Sequence, residues 1–212
     1  DKLFITNIQS MKTKETRISK SPFGVFIDNR ENIYTVTQNG DFWIIDNEGG
    51  VVKHKKLGSM LYEPVVTDDI KTAFYTDYLE DRVGMVSLPD LVKIKDIKVP
   101  KGPMHIAING DTIAVGSMTG KAITYLDLSG RVIKTVRLLG NPTQIVFIND
   151  GELLVSFWPQ KWYVIIGNDF RIKEKVTIDV ESVSIHYYHG TIIVSDHGLE
   201  FPSKERTISF YR

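Results

Sequence analysis

Apolar residues arrive in short bursts along the chain, each closed by glycine, asparagine, aspartate or proline. One kind of burst is apolar almost throughout and rich in β-branched and aromatic residues: "IYTVT", "AFYT", "TIAVG", "LLVS", "TIIVS". Such runs predict β-strands. A second kind alternates charged with apolar positions: "VVKHKKL", "KIKDIKV", "VIKTVRL", "IKEKVTI". Period-2 alternation predicts a strand with one wet face, as at the outer edge of a sheet. No long segment sustains the 3.6-residue period of an amphipathic helix.

The two kinds recur in a fixed order. Units lie near 21–57, 62–99, 102–139 and 140–178, and a fifth fills 181–212. Pro22, Pro64, Pro103 and Pro142 anchor the first four, at spacings of 42, 39 and 39; the fifth starts near Glu181 and lacks the proline. Each unit reads as four strands. An apolar strand follows the proline, as in Gly24–Asp28 or His105–Ile108. A tight turn follows ("NRE", "NGD", "NDG", "HG"), whose residues tolerate positive φ. The β-branched strand comes next, then a third such as "FWIID" or "AITYLD", and last the alternating strand.

Four-stranded modules repeated every ~40–45 residues are blades of a β-propeller. No blade buries both faces alone, so neighbours must pack. The expectation is one all-β domain over residues 1–212, a small propeller of about five four-stranded antiparallel blades. Residues 1–18 read as a third strand, "LFITNI", and a fourth, "KTKETRI", that complete the C-terminal unit and close the ring. That closure leaves one strand of the third type too many. A piece of a longer ring is the alternative.

The proline–strand–turn–strand pattern of "SPFGVFIDNRENIYTVTQNGDFWIIDNEGGVV", echoed by "GPMHIAINGDTIAVGS", resembles the NHL and YVTN-type propeller repeats. The resemblance implies a ring of blades used for binding and, in some members, for lactone hydrolysis. The Gly-His and Trp-Asp marks of WD repeats are absent, as is the repeated Trp-Phe-Thr-Glu strand of virginiamycin B lyase-like propellers.

Charge and composition narrow the partners. Lys plus Arg and Asp plus Glu both number 26, a formal net charge of zero, so the cationic surplus that nucleic acid demands is missing. The absence of cysteine excludes disulfides, thiolate catalysis and cysteine-ligated zinc. No apolar run approaches the ~20 residues of a membrane span. The sequence opens on Asp1 and not Met, which fits a removed leader or a trimmed terminus. Export or display at the cell surface is expected over the cytoplasm. Phosphate loops, G-x-S-x-G elbows, His-Glu-x-x-His and EF-hand loops are absent.

One stretch invites a metal: "HYYHGTIIVSDHG" holds His186, His189, His197 and Asp196. Placed on a hairpin turning at His189–Gly190, it sets His186 opposite Ile193. His189 and His197 then stand on the order of 20 Å apart at ~3.3 Å per residue, too far to share an ion. Asp196 and His197 instead open the loop between second and third strands. In a propeller those loops, and the segments leading into each first strand, ring the mouth of the central channel, where polar groups from several blades converge. The corresponding positions elsewhere are Asp77, Tyr78, Trp158 and, before or at the first strands, Phe23, Glu63, His105 and Gln144. These nine residues form the expected binding face. "SFWPQKWYV" adds aromatics, with Phe157, Trp158 and Trp162 around a proline loop, and Phe201 follows in "GLEFPS".

The expected function is a non-enzymatic binding or scaffold module for a protein or carbohydrate, with no cofactor. The alternative is a metal-assisted hydrolase or lyase. Gluconolactonase-like propellers, as the resemblance implies, hold a divalent cation such as calcium at this mouth. Glu63, Asp77, Gln144 and Asp196 carry the oxygens a hard cation prefers.

Overall fold

The computed structural model describes residues 2–7, 10–148, 151–178, 184–188, 190–195 and 208–211. Strands β1 (Lys2–Asn7) and β2 (Lys12–Arg17) form an N-terminal hairpin. Blade 1 is β3 (Pro22–Ile27), β4 (Ile33–Thr37), β5 (Asp41–Ile45) and β6 (Val51–Lys56). Blade 2 is β7 (Leu61–Val66), β8 (Thr72–Asp77), β9 (Arg82–Ser87) and β10 (Val92–Lys98). Blade 3 is β11 (Pro103–Asn109), β12 (Thr112–Ser117), β13 (Ala122–Asp127) and β14 (Val132–Arg137). Blade 4 is β15 (Asn141–Ile148), β16 (Glu152–Trp158), β17 (Trp162–Ile166) and β18 (Ile172–Thr177). The C-terminal sheet is β19 (Ser184–Tyr188), β20 (Thr191–Ser195) and β21 (Ile208–Tyr211). Every sheet is an antiparallel meander in chain order, and the chain is an all-β propeller.

The first strands lie side by side, β3 on β7, β7 on β11, β11 on β15 and β15 on β19, and so form the inner wall. The expected strand after each proline starts earlier than its sequence suggests, because the proline lies inside the strand. Each pairing shifts register close to it: between Pro22 and Val25, Leu61 and Pro64, Pro103 and His105, and Pro142 and Gln144. Proline lacks an N–H for the ladder, so it belongs where a bulge already interrupts the ladder.

Apolar layers between blades hold the arc together. Tyr34, Val36 and Phe42 of blade 1 pack on Ala73, Tyr75 and Val86 of blade 2. Phe74 and Met85 meet Ile106, Ile113 and Val115 of blade 3. Ala114 and Ile123 meet Ile145, Leu153 and Val155 of blade 4. Leu154 and Tyr163 meet Ile185 and Val194. Full burial of one such side chain contributes about 1.5–3 kcal/mol, so each interface outweighs any single polar contact. Tyr75 lies opposite Gly84 on the neighbouring strand, and its ring fills the space a side chain there would take.

The outer strands meet water. All six residues of β6 are exposed, and β10, β14 and β18 are largely so. Their lysines discourage edge pairing with other chains. Two also reach the next blade: Lys55 Nζ donates to the Leu91 carbonyl at 3.0 Å, and Lys95 Nζ to that of Gly130 at 3.1 Å.

The C-terminal sheet carries three strands, but the N-terminal strands do not join it as expected for a shared blade. The β1–β2 hairpin packs Leu3 and Ile5 against Ile33 and Ile45 of blade 1, yet pairs with no other described strand. The reason lies in β21, which pairs with β20 from Ile192↔Tyr211 to Ser195↔Ile208 and takes the third-strand place meant for β1. The surplus strand anticipated from sequence is thus real. Among the described residues no helix is long and apolar enough to cross a membrane.

Candidate functional site

The start of each first strand and the end of each second strand meet at one end of every blade. Side chains predicted there from sequence separate into two groups, one facing outward and one tying blades together.

Aromatic rings form the outward group. Phe23 of β3 meets Tyr62 of β7 edge-on, with centroids 4.6 Å apart. Tyr62 in turn lies 5.4 Å from Tyr78, just past β8. The Tyr78 hydroxyl is 3.2 Å from Thr119 Oγ1, in the β12–β13 loop. This row crosses three blades. Burial, reinforced by the neighbouring Tyr78, pushes the Tyr62 hydroxyl above its ordinary range. Large apolar side chains continue the rim: Leu79 is 60% exposed, Leu139 86%, Phe23 45% and Trp158 38%.

Glu63, His105, Gln144 and Asp77 form the second group. Glu63 Oε2 accepts the Ile106 N–H of the next blade at 2.8 Å. His105 Nδ1 lies 3.3 Å from that same oxygen without hydrogen-bond alignment. Beside them Thr76 Oγ1 donates to the Met104 carbonyl at 3.1 Å. Two blades further on, Gln144 Oε1 accepts the Ile185 N–H at 2.7 Å. The same strand position thus brackets consecutive blades twice, a regularity the sequence hid because the residues differ.

Asp77, expected as a rim acid, is fully buried. It accepts Arg82 Nη2 at 2.8 Å, Arg82 Nε at 3.2 Å, and the N–H groups of Met60 and Ser59 at 3.1 and 3.2 Å. Arg82 also reaches Asp96 at 2.6 Å and the Leu57 carbonyl at 3.2 Å. Burial opposes the Arg82 charge, but Asp77 and Asp96 outweigh it and raise its pKa. This cluster fixes the segment joining blades 1 and 2.

Phe157 is likewise inside. Strand alternation places it with Leu153 and Val155 against blade 3, while Trp158 turns outward. Trp162 packs 4.1 Å from Phe157 under the Lys175 ammonium, 4.2 Å above its ring. His186 stands opposite Ile193 as expected, with Nε2 2.9 Å from Ser184 Oγ. Asp196, His197, His189 and Phe201 lie outside the described residues. Among the described residues no three His, Asp or Glu side chains gather as a metal site. Sequence reasoning missed Tyr62, Leu79 and Leu139. "LLG" between two strands was a usable signal, since a leucine beyond the strand pattern has no blade to enter.

No protein-family model matches the sequence, and no curated protein does. Solved structures match by fold. Virginiamycin B lyase from Staphylococcus aureus superimposes with a TM-score of 0.79 at 18% identity, over 91% of this chain and 69% of that one. Hydrazine synthase of Kuenenia stuttgartiensis gives 0.77 at 17%, over 92% and 64%. A chain of a mitotic checkpoint complex gives 0.81 at 11%, over 91% and 64%. At these identities the likeness establishes the β-propeller fold. The chain spans about two thirds of the length of these structures.

Proposed function

We infer that this propeller is a binding module that engages a partner protein through the mouth end of its blades. One observation carries the reading: Phe23, Leu79, Leu139 and Trp158, from four successive stretches of chain, leave large apolar surface in water at one end. Exposed apolar side chains with aromatic anchors are what a protein interface buries, and few such residues supply most of its energy. The Phe23–Tyr62–Tyr78 row stiffens the patch, which lowers the entropic cost of docking. A carbohydrate would use the same rings for stacking.

The lactonase-like reading needs carboxylates free to converge on a cation. Glu63 and Gln144 are engaged with backbone N–H groups, and Asp77 with Arg82. Elemental analysis of the purified protein tests that reading: stoichiometric divalent metal would favour it. For docking, Trp158→Ala and Leu139→Ala should each weaken a purified partner about tenfold, a loss of ~1.4 kcal/mol. Unchanged affinity in both variants would refute the mouth as the interface.

A further inference from the structure

The opposite end of the blades carries a second recess, independent of the mouth. Between blades 3 and 4, Asn109, Tyr125, Phe147, Gly151, Asn168 and Phe170 line a groove of about 300 Å³. Tyr125 is 3% exposed, and its hydroxyl has no hydrogen-bond partner. A buried hydroxyl left unsatisfied costs about 1–3 kcal/mol, so a native fold that retains one invites a partner from outside the chain. Burial also raises the pKa of this hydroxyl far above its ordinary value, so it remains a neutral donor.

Blade 1 offers a comparison. There Tyr34, on the second strand, donates its hydroxyl to Asp28 Oδ2 at 2.8 Å, whereas in blade 3 that strand position is Ala114 and Tyr125 stands opposite it on the third strand. By strand register Asn109 occupies in blade 3 the place of Asp28 in blade 1. Asn109 makes no such bond to Tyr125, and the hydroxyl stays open. Two further features shape the recess. Phe170 adopts φ of 61°, unusual for a bulky residue, and its ring meets that of Tyr125 edge-on at 4.8 Å. Gly151 has φ of 89°, and a Cβ there would sit 3.1 Å from Asn168 Oδ1 and 3.6 Å from Asn109 Nδ2. The absent side chain leaves both carboxamides facing one space.

We propose that this groove between blades 3 and 4 binds a neutral monosaccharide, held by the Tyr125 hydroxyl and the Asn109 and Asn168 carboxamides against the Phe147 and Phe170 rings. The chemistry selects that class. Among the described residues no charged side chain lines the groove, so an ionic ligand would find no counter-charge from them. Carboxamides and a phenol match the paired donors and acceptors of sugar hydroxyls. Aromatic rings give an apolar face to the C–H side of a pyranose. The volume is about ten times that of one water (~30 Å³) and at the lower limit for ligand pockets, so it suits one sugar ring and not a chain.

The test is a titration of the ¹⁵N-labelled protein with glucose, galactose, mannose and N-acetylglucosamine, followed by amide and carboxamide shifts. At least one should give saturable shifts at Gly151, Gly167 and the side-chain amides of Asn109 and Asn168. Tyr125→Phe keeps the ring and removes an unpaired hydroxyl, so it should fold at least as stably while binding about tenfold more weakly. Saturation in the wild type with that loss supports the proposal. No shift at these groups with any of the four sugars, or equal affinity in Tyr125→Phe, overturns it and leaves the recess to ordered water.

Discussion

Replacing Asp77 by alanine should be among the most destabilising single changes in this chain, although sequence places the residue at the binding face. Its carboxylate is fully buried and serves four N–H donors, two from Arg82 and one each from Ser59 and Met60. Removing one partner of a buried ion pair costs about 3–5 kcal/mol, because the remaining charge is left uncompensated. Arg82 keeps Asp96, and its side chain is 15% exposed, so the ionic part falls near the lower limit. Two backbone N–H groups losing their acceptor add about 1–3 kcal/mol each if fully dry. These terms share one site and do not sum. A net loss of about 4 kcal/mol is expected. In urea denaturation with a slope of about 3 kcal/mol/M, the midpoint should fall by about 1.3 M. Asp77→Asn keeps an acceptor and should lose roughly half as much. A midpoint within about 0.3 M of wild type in Asp77→Ala, with unchanged slope, would refute the structural role and return Asp77 to the pool of ligand-binding acids.

Three other outcomes are expected. Gly84→Val should destabilise by about 1–3 kcal/mol or more through overpacking, since a Cβ would lie 2.1 Å from the buried Tyr75 ring; calorimetry checks this. Gln144→Ala should cost about 1 kcal/mol and speed hydrogen exchange at the Ile185 amide, leaving blades 1 and 2 unaffected. Asp28 is desolvated, which opposes its charge, but hydrogen bonds from Asn32, Tyr34 and the Asn32 and Arg30 amides prevail and hold its pKa below the ordinary carboxylate value. Its contribution is therefore present above the unfolded-state pKa of about 3.9 and lost as pH falls through the folded value. Acid titration of stability should show a shallower acid limb in Asp28→Asn than in wild type, and identical limbs would exclude this linkage.

Sequence alone determined the strands, their order within each blade and the propeller repeat. Those follow from short-range rules: side-chain alternation, turn residues of positive φ, and a spacing that leaves each unit unable to bury itself. It also anticipated the outward Trp158 and the spare strand at the ends. What only the tertiary structure decided was the destination of each polar side chain. Asp77 and Tyr78 are adjacent in sequence, yet one is sealed beneath Arg82 and the other joins the aromatic row with Tyr62 and Phe23. Glu63 and Gln144 share a role although their chemistry differs. In each case the partner lies on another strand or blade, such as Ile106 for Glu63 and Ile185 for Gln144. Periodicity along one strand says which face a residue takes but not what the neighbouring blade presents to it. That pairing is fixed by blade packing, where burial of apolar layers sets the geometry and polar groups must find partners within it.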